Sequence, residues 1–254
     1  MTTIHPLSLR LSNAYLLVGD HRPVLVDTGS PGDERRIEEG CATAGVDQRD
    51  FALILHTHVH SDHFGTTAHF AALARCPVCY HENDRELAAQ GHNGRLRGVG
   101  LRGRVMAPFF SRTPFKTVST DLPAAEGRSL DDLGVSATLL HTPGHTRGSI
   151  SIVMDDGDAI VGDVLMGGYI GGAFRPGKPN FHYFAEDPGA RDAQSGPRAG
   201  HDARQTPRGP RRPAGPRRRQ PLARGLDRRI APAATTGWKS TRIRGERPRV
   251  HRSA

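Results

Sequence analysis

Apolar positions fall into short runs punctuated by turns as far as Asp187, and then the pattern stops. Asn13–Val18 and Pro23–Val26 are apolar segments joined by the turn Gly19–Arg22, which predicts two paired strands. Glu34–Ala44 predicts a helix covering the sheet. Phe51–Leu55 is apolar, of strand length and ended by polar residues, so it predicts a short buried strand. Phe64–Leu73 predicts a helix that Ser61 or Asp62 can cap. Pro77–Tyr80 reads as a buried strand and Asp84–Ala89 as a helix. Gly91–Lys116 is rich in Gly and Arg with an apolar patch at Val105–Phe110, and predicts a loop or helical lid. Val135–Leu140 and Ser149–Met154 alternate, Asp155–Asp158 forms a hairpin turn, and Ala159–Gly162 is the next strand.

Composition changes this picture at the C-terminal end. The 254 residues suffice for one large domain or two small ones. The formal charge of +9 is not spread evenly. Residues 188–254 carry 18 Lys and Arg against 4 Asp and Glu, a net +14, which leaves 17 basic and 22 acidic residues before them, a net −5. The body therefore has no electrostatic footprint for phosphates, and nucleic acid is not an expected partner. No apolar run approaches membrane-spanning length, and the first residues lack the features of a secretory signal, so a cytoplasmic protein is expected. Cys41, Cys76 and Cys79 are too few for a disulfide framework. Cys76-Pro77-Val78-Cys79 has the spacing of a redox or zinc pair, but without a second pair it reads as part of a buried strand.

Candidate chemistry is concentrated in Thr57-His58-Val59-His60-Ser61-Asp62-His63. In extended backbone, alternate side chains share a face, so His58 and His60 point the same way from a strand's end. Asp62 and His63 follow at the start of a helix. Imidazoles and carboxylates suit zinc and similar divalent ions, and two such ions about 3.5–4 Å apart can act together on one reacting group. Four ligands cannot fill two sites, so further ligands are expected downstream. His145, presented by the Pro143-Gly144 turn, is the candidate third histidine, while His141 is closer to its strand and reads as packed. Asp163 ends a strand and could bridge two metals. Asp27, after Val26, could orient backbone or support a metal ligand, with the structural role favoured.

His58-x-His60-x-Asp62-His63, Thr142-Pro143-Gly144-His145-Thr146 and Gly162-Asp163 together resemble the metallo-β-lactamase-fold hydrolases, and most closely their glyoxalase II-like branch. Asp27 matches that family's early acidic position. The resemblance runs from Asn13 to about Asp187. It implies an α+β fold, a four-layer αββα sandwich with metals at one edge, incomplete here at the C-terminus. It implies a first metal on His58, His60 and His145, a second on Asp62 and His63, and Asp163 bridging. His60 stands where the di-iron relatives look for Glu, which favours zinc: two ions in the family, or one here. The family also expects a last histidine in a Gly-His-Gly context some fifty residues past Asp163. None is present: His201 is too early, His251 too late, and the setting of His182 suggests packing or substrate contact.

Two parts follow: a metal hydrolase domain over 1–187 and an Arg/Pro/Gly-rich tail over 188–254. The tail reads as disordered, or as translated out of frame, since a one-base shift over Arg208–Pro213 permits the missing Gly-His-Gly. The function implied is a zinc-dependent hydrolase in which a metal-bound hydroxide, oriented by the catalytic Asp62, attacks an ester, thioester or lactone-type carbonyl of a small molecule. The alternatives are a β-lactamase, disfavoured by the missing signal, and a non-catalytic zinc-binding protein or a nucleic-acid binder using the tail. The sequence leaves the oligomeric state open.

Overall fold

The computed structural model of the chain describes residues 2–167, 180–187 and 189, and the backbone of 242–243. Five strands form the first sheet in chain order: β1 (Thr3–Ser8), β2 (Asn13–Val18), β3 (Val24–Val26), β4 (Leu53–Leu55) and β5 (Val78–Cys79). The first three are antiparallel; β3, β4 and β5 run parallel. The second sheet is antiparallel: β6 (Ala137–His141), β7 (Ile150–Met154), β8 (Ala159–Ile160) and β9 (Arg242–Ile243).

Side chains alternate across a strand, and here both faces of the first sheet are covered. Tyr15, Leu17, Val24, Val26, Leu53 and Leu55 point to one face and pack with Ala137, Leu139, Ile150, Ile152 and Ile160 of the second sheet. The intervening residues Leu16, Leu25 and Ile54 point the other way, onto Ile37 and Cys41 of α1 (Glu34–Ala44) and Phe70 and Ala74 of α3 (Thr67–Ala74). Helix, sheet and sheet thus form three stacked layers of an α+β fold. Helices against the far side of the second sheet, the fourth layer of the expected sandwich, lie outside the described residues.

Two expectations are corrected. The helix read over Phe64–Leu73 is two helices, α2 (Ser61–Phe64) and α3. The carbonyl of His63, which a continuous helix would use internally, accepts instead from Thr28 N at 2.7 Å. Gly65 donates to Gly29 O at 2.7 Å, and a side chain on Gly65 would collide with the backbone of Ser30 and Pro31. Neither Ser61 nor Asp62 caps α2. His60 is its N-cap residue without a side-chain bond, and Ser61 N donates to Asn93 Oδ1 at 2.6 Å. The edge strand β1 has no counterpart in the sequence reading; Pro6 within it is tolerated because an edge strand has an unpaired side.

Gly91–Lys116 contains helix α5 (Gly100–Phe110), after α4 (Arg85–Gln90). Cys41, Cys76 and Cys79 are free thiols, and Cys79 is buried in β5. Among the described residues, no helix is long and apolar enough to cross a membrane. The tail over 188–254, disordered or out of frame in the sequence reading, lies outside the described residues except for Gly189 and the strand residues 242–243.

Candidate metal centre

Parallel β3 and β4 end side by side, which brings Asp27 next to the segment that follows Leu55. Asp27 adopts a left-handed backbone, φ 59°, a region that Asp tolerates better than most residues. Its carboxylate accepts from Thr57 N at 2.9 Å, Thr57 Oγ1 at 2.8 Å and His63 Nδ1 at 2.8 Å. Burial pushes the Asp27 pKa up, but the charge and hydrogen bonds that face it, His63 first, bring it below the usual carboxylate range. Asp27 therefore staples the start of the histidine motif to its end.

The same bonds decide which ring nitrogens are bare. His63 gives its Nδ1–H to Asp27, so Nε2 is the nitrogen open to the site, where the surrounding carboxylates favour a proton in the metal-free protein. Thr57 Oγ1 donates to Asp27 and lies 3.1 Å from His58 Nδ1, so His58 donates there and its Nε2 is bare. His145 Nδ1 lies 2.9 Å from the carbonyl of Phe184, which leaves its Nε2 bare as well. Among the described residues, the buried His58 Nε2 has no hydrogen-bond partner, and His63 Nε2 meets the Asp163 carboxylate at a loose 3.3 Å. Buried polar atoms are nearly always bonded, so orphans of this kind ask for an explanation such as an ion.

The bare atoms converge. One ligand atom each from His58, His60 and His145 lies within 4.8 Å of the others, and so do those of His58, His63 and Asp163. His60 Nδ1 and His145 Nε2 are 2.9 Å apart. Only one proton fits between them, and a divalent ion competes for the same lone pairs. Asp163, on a single helical turn after β8, directs Oδ1 to His63 Nε2 at 3.3 Å and Oδ2 to His145 Nε2 at 3.5 Å. Asp62 stands further out, 3.9 Å from His63 Nε2 and part-exposed, outside both groups.

Charge follows this arrangement. Burial holds the His58 and His60 pKa values well below the usual range, reinforced by neighbouring imidazoles, and lowers His145 to about 4. Burial also opposes charge on His63, but Asp163, Asp27 and Asp62 around it raise its pKa well above the usual value. The pocket thus attracts positive charge at its His63 side and keeps three imidazoles neutral at the other. Neutral imidazole and ionised carboxylate are the forms that bind zinc-like ions, so the donor set fits a divalent metal.

Two contributors, Asp84 and Asn93, escaped the sequence reading, and a third, His182, was singled out there as a packing or substrate-contact residue. Asp84 was read only as the start of a helix. Its carboxylate accepts from Val59 N at 3.0 Å, Gly148 N at 2.7 Å and Thr146 Oγ1 at 2.9 Å, and so ties the His58–His60 segment to the His145 loop. Burial pushes its pKa up to about 6 in spite of those donors. An Asp before a helix is the ordinary N-cap pattern, so nothing local marks this role. Asn93 holds Ser61 and, through Phe110 O at 2.9 Å, the end of α5. His182 lies buried 3.4 Å from Asp163 Oδ2. His141 is half-buried and stacked on His81 at 4.0 Å, outside the ligand groups. His201 and His251 lie outside the described residues. Leu11, Leu96, Phe110 and Phe184 frame a small cavity of about 30 Å³ over His60, Asp62, Asp163 and His182, so the expected lid segment does reach the site.

Two packed sheets with a histidine and aspartate cleft at their strand ends define a metal-binding α+β domain. The profile of the Metallo-beta-lactamase superfamily matches residues 7–223, and the chain belongs to that superfamily. An uncharacterized protein of Mycobacterium bovis is 32% identical over 157 residues, 59% of this chain and 63% of the relative. A probable metallo-hydrolase of Methanocaldococcus jannaschii is 27% identical over 154 residues, 61% of this chain and 67% of that protein. Probable metallo-hydrolase YqgX of Bacillus subtilis is 28% identical over 165 residues, 63% of this chain and 69% of that protein. The chain thus spans a little under two thirds of the mycobacterial relative. A metallo-beta-lactamase structure from Cronobacter sakazakii aligns with a TM-score of 0.50 at 23% identity, covering 61% of this chain and 57% of that one, a likeness of fold.

Proposed function

We propose that this chain is a zinc-dependent hydrolase of small-molecule carbonyl compounds of the ester, thioester or lactone type, from the glyoxalase II-like branch, acting in the cytoplasm. The observation that carries the reading is the convergence of His58, His60 and His145, with the Nε2 atoms of His58 and His145 left bare by bonds made elsewhere. Those three would hold one ion; His63, Asp62 and the shared Asp163 would hold a second, weaker one. When bound, zinc supplies Lewis acidity, which acidifies water and polarises a carbonyl oxygen. The chain's own residues do the rest. Asp27 and Thr57 fix the imidazole orientations. Asp62, part-exposed at the cavity, orients the attacking water and takes its proton. Leu96 and Phe110 exclude bulk water from above.

The hydrolase unit in this proposal is residues 1–187, with 188–254 a tail whose Arg242–Ile243 strand pairs with the edge of the second sheet. The test is turnover of a panel of thioesters, lactones and β-lactams by zinc-loaded protein, with His58→Ala as the control. Hydrolysis of a thioester or lactone that is lost in His58→Ala is expected. Turnover confined to β-lactams would replace the substrate class, and no turnover of any carbonyl with zinc bound would overturn the enzyme reading.

A further inference from the structure

His182 stands where a further metal ligand would be welcome. One of its ring nitrogens and the ligand atoms of His145 and Asp163 lie within 4.8 Å of one another, and the sequence carries no Gly-His-Gly for the family's last histidine. Proximity alone would make it the substitute. Its other nitrogen argues against that. Phe184 N donates to His182 Nδ1 at 3.1 Å, so Nδ1 must be the unprotonated nitrogen. A neutral imidazole with a bare Nδ1 carries its proton on Nε2, the atom that faces Asp163 Oδ2 at 3.4 Å. Coordination through Nε2 would need the opposite tautomer, and would set two N–H donors against each other at the Phe184 amide.

We infer that His182 is a hydrogen-bond donor to Asp163 and a positioning residue for that carboxylate, not a metal ligand. This rests on the metal-site reading given above. The peptide groups of Phe184 set two neighbouring histidines to opposite roles: its carbonyl accepts from His145 and exposes a lone pair, and its N–H is accepted by His182 and exposes a proton. The segment is strapped in place. Asn180 pairs with Met166, Tyr183 O accepts from Val99 N at 2.7 Å, and Glu186 N donates to His145 O at 3.1 Å. A ring flip at His182 would have to break its bond to Phe184 inside this frame. The consequence is that four histidines, not five, bind metal: His58, His60, His63 and His145. The second position is then built from His63, Asp62 and Asp163 alone.

Long-range proton–nitrogen NMR of the full chain, labelled with ¹⁵N-histidine, reads tautomers directly. Spectra are taken in chelator and at saturating zinc, and His182→Gln assigns the signal. The expected result is an Nε2–H tautomer for His182 in both states, with Nε2 resonances of His58, His63 and His145 moving on zinc addition. An Nδ1–H tautomer with a zinc-shifted Nε2 would overturn the inference. If zinc moves no histidine resonance, the metal reading fails on its own; an Nε2–H tautomer in chelator then still supports the bond to Asp163, and an Nδ1–H tautomer refutes it. Zinc content at saturation adds an independent check: His182→Gln, which keeps an N–H for Asp163, should hold as many equivalents as the unmodified chain. Loss of one equivalent would count against the inference.

Discussion

Asp27 and His63 are joined by a 2.8 Å hydrogen bond in which a buried carboxylate, on a residue with left-handed backbone, accepts the Nδ1–H of an imidazole. That bond turns the opposite nitrogen of His63 toward Asp163. Asn tolerates the same backbone region, so Asp27→Asn removes the charge while keeping the chain path. Zinc affinity at the His63 side is expected to weaken by about 10–100-fold, the usual effect of removing a partner that orients a ligand. Competition with a chromogenic chelator measures it. Unchanged affinity would show that Asp27 serves the backbone alone.

Asp84 joins two ligand-bearing segments that are far apart in sequence. Three donors converge on its carboxylate, and an amide at that place would turn its NH2 against at least one of them. Asp84→Asn should therefore cost about 1–3 kcal/mol in urea unfolding, the range for a buried polar group left without its partner. Gly148→Ala should act on the same contact, because an added Cβ would lie 2.6 Å from Asp84 Oδ1. Losses that add fully in the double variant would speak against a shared contact.

Most of the strand ends and the ligand motif could be read from residue pattern, because period-two alternation and the spacing of His58, His60, Asp62 and His63 are local. Asp163 was legible for the same reason: it follows an apolar strand. Asp84 and Asn93 were not, and His182 was legible only as packing or substrate contact, since their roles come from contacts 17 to 64 residues away in the chain or from which tautomer a backbone amide selects. The break between α2 and α3 was hidden too. It is set by Thr28 and Gly29, which take the bonds that a continuous helix would have made.

Acid should destabilise the metal-free protein. Burial is the first cause that holds His56, His58, His60 and His145 below the ordinary histidine value, His145 at about 4. Such groups are neutral when folded and protonate when unfolded, so their contribution is complete above ~6.5 and is lost as pH falls toward the folded values. Asp84, raised to about 6, opposes this between ~4 and ~6, and Asp62, also raised by burial, acts in the same direction, two carboxylates against four imidazoles. His63 is raised, so its contribution is present below ~6.5 and fades only as pH climbs through its folded value. Urea midpoints in chelator should fall steadily from pH ~6.5 to ~4. A flat or rising series would contradict the burial of these imidazoles as neutral groups.

Equilibrium dialysis of the full chain against zinc, followed by elemental analysis, decides whether His58, His60 and His145 grip one ion. The unmodified protein should retain at least one equivalent, and His58→Ala and His145→Ala should each lose it at the same free zinc while remaining folded by circular dichroism. Retention of no zinc by the unmodified chain, or equal retention by both variants, would contradict the metal centre on which the hydrolase reading stands.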